Sequence, residues 1–181
     1  LGLLAGAPWP LLAAAPHPPS QRVTYWARQV MRLVVKYQQN PLRAARALSY
    51  VQVALRDGWT AGAADGPAAE LAAHRAAALM IEQLYPNETP GQFEAQFAQL
   101  ESAIALPAGP RAAARAAGQA AGRALVDRSL RDGSGRVWPP GNRPADFPGI
   151  WQPTWPLYAP NPTEGFAPQW RTWVPRPASR Y

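Results

Sequence analysis

The chain has 181 residues, a net charge of +7 and no cysteine. That length suits one domain with a moderate core, or one domain with a long arm, and the missing thiols exclude a disulfide framework and any Cys-based zinc site. Seventeen arginines and one lysine face eleven acids, yet the basic residues are dispersed rather than blocked, so nucleic acid is not the expected partner. An acidic protein face or an anionic membrane surface accounts for the excess charge instead.

The first nineteen residues open with "LGLLAGAPWPLLAAAP". The apolar run and small residues look like the end of a signal peptide without its basic n-region. Pro8 and Pro10 break the run, which is too short to span a bilayer as a helix. Residues 1–19 therefore read as an extended apolar arm, with export across a bacterial inner membrane and a periplasmic or otherwise extracytoplasmic location as the expectation.

Residues 20–132 read as a helical domain of about five helices. In the first, Val23, Trp26, Val30, Met31, Val34 and Tyr37 recur at helical spacing and form one apolar face. Arg28, Arg32 and Lys36 stand four apart on the same helix, a like-charged stripe suited to a solvated face or to docking on acidic groups. Asn40-Pro41 supplies an N-cap and an N1 proline for a second helix through Leu42, Leu48, Val51 and Leu55. After the turn at 62–67, a third helix carries Leu71, His74, Ala78, Ile81 and Tyr85 along one side and stops at Pro86. Thr89-Pro90-Gly91-Gln92 has the form of a capping box with proline at N1, followed by Phe93, Phe97, Leu100 and Ile104 as a core stripe. The fifth helix, "PRAAARAAGQAAGRALVDRSLRDG", carries Gly118 and Gly122 four apart, a surface that permits close approach of another helix, and ends at Gly133.

Composition changes after Asp132. The last 49 residues hold eleven of the 22 prolines and five of the eight tryptophans, so this segment cannot be helical, and its aromatic content sets it apart from disordered tails. Residues 133–181 read as an extended arm whose rings anchor it to a preformed surface. Trp151, Trp155, Tyr158, Trp170 and Trp173 are the expected partner-binding anchors, with Arg28, Arg32 and Lys36 as an electrostatic contact.

Catalytic residue types are sparse. His17 and His74 are the only histidines, so no multi-histidine metal site can form. His74, on the apolar side of its helix, reads as a hydrogen-bonded core residue, and Glu70 four residues earlier as its helix-surface partner. Neither a glycine-rich phosphate loop nor a G-x-S-x-G elbow is present.

The order of these pieces resembles the vanadium-dependent haloperoxidases and their type 2 phosphatidic acid phosphatase relatives. The resemblance rests on "PLRAARALSYVQVALRDGW", "AAELAAHRAAALMIEQLYP", "AARAAGQAAGRALVDRSLRDGSG" and the terminal "GIWQPTWPLYAPNPTEGFAPQWRTWVP". It runs over about residues 22–175 and is to the N-terminal helical half of that family. The family's oxyanion site uses Lys and Arg-Pro, a Pro-Ser-Gly-His stretch and a later Arg…His, which neutralise the anion and supply acid–base chemistry. Here Lys36-x6-Arg43 copies the first spacing but is followed by Ala44, and Pro19-Ser20 is followed by Gln21. The resemblance thus implies a chain with no cofactor of its own, vanadate or phosphate entering only if a catalytic half is supplied elsewhere. The expectation is an all-α, non-catalytic assembly subunit that binds other protein subunits at the periphery of a membrane complex, a membrane surface being a further contact. The alternative is the N-terminal portion of a haloperoxidase or acid phosphatase.

Overall fold

A computed structural model describes residues 19–62, 66–139, 152–154, 156, 158–159 and 161–173, with side chains from residue 24 onward. The described residues form five α-helices and one short 3-10 turn, with no strand, so the fold is all-α. The helices are α1 (Pro19–Lys36), α2 (Pro41–Ala61), α3 (Pro67–Leu84), α4 (Gln92–Ser102) and α5 (Ala108–Leu130).

Local signals account for most helix ends. Asn40 adopts an extended conformation and its side chain accepts the Arg43 N–H at 3.0 Å, while Pro41 occupies the first turn, where no amide proton is needed. The α4 start differs from the capping box expected at Thr89. Gly91, in the left-handed region at φ +76°, is the N-cap and contributes no side-chain bond. The Gln92 N–H instead closes a turn on the Thr89 carbonyl at 3.1 Å. Glycine is chosen there because an L side chain rarely adopts that φ. At the other end of α4, the Arg111 guanidinium donates to the carbonyls of Glu101, Ile104 and Leu106. One side chain of α5 thus satisfies acceptors that the end of α4 leaves open.

The third helix is the hub, packed against α2 and α5 over long contacts and against α4 and α1 over shorter ones. The expectation of a single apolar side for α3 is too narrow: Ala69, Leu71, Ala72, Ala73, His74, Ala76, Ala77, Ala78, Met80 and Ile81 are all buried. A helix buried on several sides, mostly through alanine, sits in the interior even though it also carries Glu70, His74 and Arg75. Alanine allows neighbouring backbones close, and glycine on the neighbours brings them closer still. A Cβ placed on Gly118 of α5 would stand 2.3 Å from the Ala72 carbonyl oxygen, and one on Gly58 of α2 would stand 2.6 Å from the same atom. Gly62 makes a similarly tight approach, at 2.7–2.8 Å to Ala68, Ala69 and Ala72, and Gly122 a looser one, at 2.9 Å to the Leu79 side chain and 3.1 Å to the Ala76 backbone. The Gly118/Gly122 pair therefore does what its spacing suggests, and its partner is α3.

Larger side chains fill the flanks. Phe93, Phe97, Leu100 and Ile104 are buried as their spacing predicts. From α1, Trp26, Val30 and Leu33 enter the core, but Met31 is 50% exposed, and Leu42 at the start of α2 is 46% exposed. The apolar face of α1 is narrower than the periodicity suggested, because α1 lies at the edge of the array, on α2 and α3. The side chain of Val23 lies outside the described residues, as does the middle of the 62–67 turn.

The glycine contacts predict unequal costs for one kind of substitution. Gly118→Ala should destabilise the fold by about 1–3 kcal/mol or more, since its new methyl meets backbone that cannot move aside. Gly109→Ala, in the first turn of α5 with open space around it, should be neutral or stabilising by up to about 1 kcal/mol. Urea unfolding followed by helical circular dichroism measures both; equal effects would contradict this packing.

Candidate docking surface

Polar residues between the helices act mainly as fasteners. The Trp26 indole donates to Nδ1 of His74 at 3.0 Å, across 48 residues, and both side chains are fully buried. Because Nδ1 accepts, the ring proton is on Nε2, which stands 3.6 Å from a Glu70 carboxylate oxygen. His74 is thus the hydrogen-bonded core histidine that its position suggested. On the opposite flank, Glu94 and Glu101 of α4 meet Arg75 of α3 and Arg115 of α5. Arg115 reaches Glu101 at 2.9 Å and Glu94 at 3.2 Å, and Arg75 pairs with Glu94. The two guanidinium groups also lie over the Phe97 ring, at 5.3 and 5.1 Å.

One described stretch of the C-terminal segment, residues 161–173, folds back over α2 and the end of α5. Glu164 forms a two-pronged pair with Arg43, at 2.5 and 2.7 Å, and accepts from Asn40 at 3.0 Å. The Arg43 hydrogen bonds hold the Glu164 carboxyl below its usual range against the opposing effect of burial. Trp170 stacks under Arg43 at 5.1 Å, and Trp173 meets Tyr50 edge-on at 4.7 Å and Arg128 at 4.5 Å. Two bonds to main-chain carbonyls complete the clasp, from the Arg171 backbone N–H to Asp132 and from the Arg128 guanidinium to Thr172, each 2.8 Å.

Asp132 is the buried centre of this junction. Its carboxylate accepts from Arg46 at 2.7 Å, from the Tyr50 hydroxyl at 3.0 Å and from the Ser134 N–H at 2.9 Å. Burial pushes its pKa up, but Arg46 and the Ser134 donors outweigh burial and hold it low. Burial, aided by the bond to Asp132, raises Tyr50 to about 12.

The expected anchors therefore divide. Trp151 and Trp155 lie outside the described residues, as does His17. Trp170 and Trp173 rest on this chain's own helices, Trp173 remaining 41% exposed, while Tyr158 is 61% exposed. The cationic stripe divides too. Lys36 pairs with Glu88, which also accepts from Tyr37 at 2.7 Å and Gln92 at 3.1 Å, so Lys36 ties α1 to the α3–α4 turn. Arg32 is exposed and, among the described residues, bonded only to Gln29 on its own helix, at 3.0 Å. Arg28 is exposed with no hydrogen bond or ion pair among the described residues. The Lys36/Arg43 spacing brings no joint oxyanion site: each is committed to a different carboxylate.

Beside Arg28 and Arg32 stand Met31, 50% exposed, and Val35, 73% exposed. These four define the outward face of α1. By contrast, every charged side chain that is buried or half-buried among the described residues has a partner. A hollow of about 450 Å³ between α3, α5 and the α3–α4 turn is lined by Leu79, Tyr85, Phe93 and Val126, with Glu82, Glu88 and Arg123. Among the described residues no group of three or more His, Asp or Glu is placed to hold a metal ion, and no helix is long and apolar enough to cross a membrane. No family model matches this chain, and no curated protein or solved structure matches it.

Sequence reasoning missed Glu164, Arg43, Arg46, Tyr50 and Asp132 as one network. Their bonds span 82 to 121 residues and leave no local signal; only Gly133, expected as the end of a helix that in fact stops at Leu130, marked the place where the segment returns.

The clasp makes a pH prediction. A carboxyl held low stabilises the fold above its unfolded value, 4.5 for Glu164, and loses that contribution as pH falls through the lower folded value. Glu164→Gln should therefore melt below wild type at pH 7, and the gap should narrow as pH falls below 4.5 and through the lower folded value, where the carboxyl becomes neutral like the amide. A gap in Tm that persists unchanged to pH 3 would contradict the ion-pair account.

Proposed function

We propose that this chain is a non-catalytic helical scaffold, a subunit that joins other proteins through the outward face of α1. The observation that carries the reading is a contrast within one molecule. Its interior charges are consumed in fastening helices and the 161–173 segment together, whereas α1 presents two arginines and two apolar side chains outward, the arginines having no polar partner beyond Gln29 among the described residues. Contiguous exposed apolar groups rimmed by polar ones are a feature of interaction sites. Trp151, Trp155 and Tyr158 belong to the same proposal as a second contact along the C-terminal segment. The likeness to the haloperoxidase helical half is read here as that of a scaffold, and the extracytoplasmic, membrane-peripheral setting is part of the same reading.

Isolation from native cells under mild conditions tests this. The chain should migrate in size-exclusion chromatography as part of a larger particle with other proteins in fixed stoichiometry. Migration as a free monomer, with no protein in constant ratio to it, would overturn the reading.

A further inference from the structure

The outward face of α1 has a definite pattern. Arg28 and Arg32 are four residues apart, and so are Met31 and Val35, so the face is two parallel rows, one cationic and one apolar. Rows four apart are the ridges by which helices interdigitate. The helix Pro19–Lys36 contains no acidic residue to neutralise the cationic row internally. Arg28 has no polar partner among the described residues, and Arg32 has only Gln29.

We propose that this face takes a helix of another protein whose surface carries an acidic row beside an apolar row. Charge complementarity selects that occupant. A second copy of this chain would bring arginine rows against one another at a net charge of +7 per molecule. A lipid surface fits less well, because interfacial binding scales with inserted apolar area. The large apolar residues of α1, Trp26, Val30 and Leu33, face the core, leaving Met31 and Val35 outward among its described side chains. A partner helix uses the pattern fully: carboxylates four apart reach both guanidinium groups, and aliphatic side chains pack on Met31 and Val35, excluding water around the ion pairs.

This inference rests on the scaffold reading, and its test separates the two. The probes are a fluorescent peptide of about 20 residues, stabilised as a helix, with Glu and Leu rows at four-residue spacing on adjacent faces, and an isomer of identical composition with the rows on opposite faces. Anisotropy titration of the full chain should show the adjacent-row peptide binding about tenfold or more tighter than the isomer. The preference should vanish in Arg28→Glu/Arg32→Glu and also in Met31→Ser/Val35→Ser, each with unchanged circular dichroism. Equal binding of the isomers, binding that survives the Met31/Val35 change, or absence of peptide binding would each overturn the inference. So would tight binding to phosphatidylglycerol vesicles in preference to the peptide, which would make the face a lipid contact. If the chain still travels with stoichiometric partners when the peptide test fails, the scaffold reading stands without this face; loss of both removes the reading itself.

Discussion

The near-contact of three helix backbones at Ala72 governs the rest of this structure. Gly58 and Gly118 approach the same carbonyl oxygen from opposite neighbours, so α2, α3 and α5 are set at a spacing no larger residue would allow. An alanine-rich core buries little apolar area per residue, and close approach compensates by multiplying backbone dispersion contacts. Because α3 is enclosed, the remaining helices attach around it. Helix α4 is held by the Arg75, Arg111 and Arg115 guanidinium groups and by Phe97. Helix α1 is held by Trp26 and its bond to His74.

Arginine serves two ends in this arrangement. Its planar, five-donor group can bond a carboxylate or a row of carbonyls at its edge while its face covers an aromatic ring. Arg43 does so with Glu164 and Trp170, Arg46 with Asp132 and Tyr50, and Arg128 with the Thr172 carbonyl and Trp173. Lysine could supply the charge but not the stacked plane. The high arginine count, which as composition alone suggests an anionic partner, is in large part explained by contacts inside the chain. Arg28 and Arg32 on α1 are part of what is left over, together with exposed Arg123, Arg131 and Arg171.

Much of this architecture was legible from residues close in sequence. Asn40-Pro41 announces α2, the Phe93/Phe97/Leu100 stripe the core face of α4, and Gly118/Gly122 a close helix contact. The identity of that contact was not legible, because many helices in an alanine-rich chain could accept a glycine face. The outward turn of Met31 was hidden for a related reason: periodicity shows which residues share a face, but the width of the buried face depends on how many neighbours the helix has. Helix α1, at the edge, has too few. The clasp was half visible. Proline and tryptophan density indicated an anchored extended segment, while pairings such as Arg43–Glu164 and Tyr50–Asp132 depend on tertiary placement alone.

The central claim is that the outward face of α1 is occupied by another protein in the assembled state. Its most direct measurement replaces Val35, 73% exposed, with a photo-reactive residue in the intact chain in its native cells, with exposed Gln52 of α2 as the control position. The account predicts a single protein adduct at position 35, identified by mass spectrometry and absent or much weaker at position 52. Adducts at 52 with none at 35, or a position-35 product confined to lipid or to this chain itself, would contradict it.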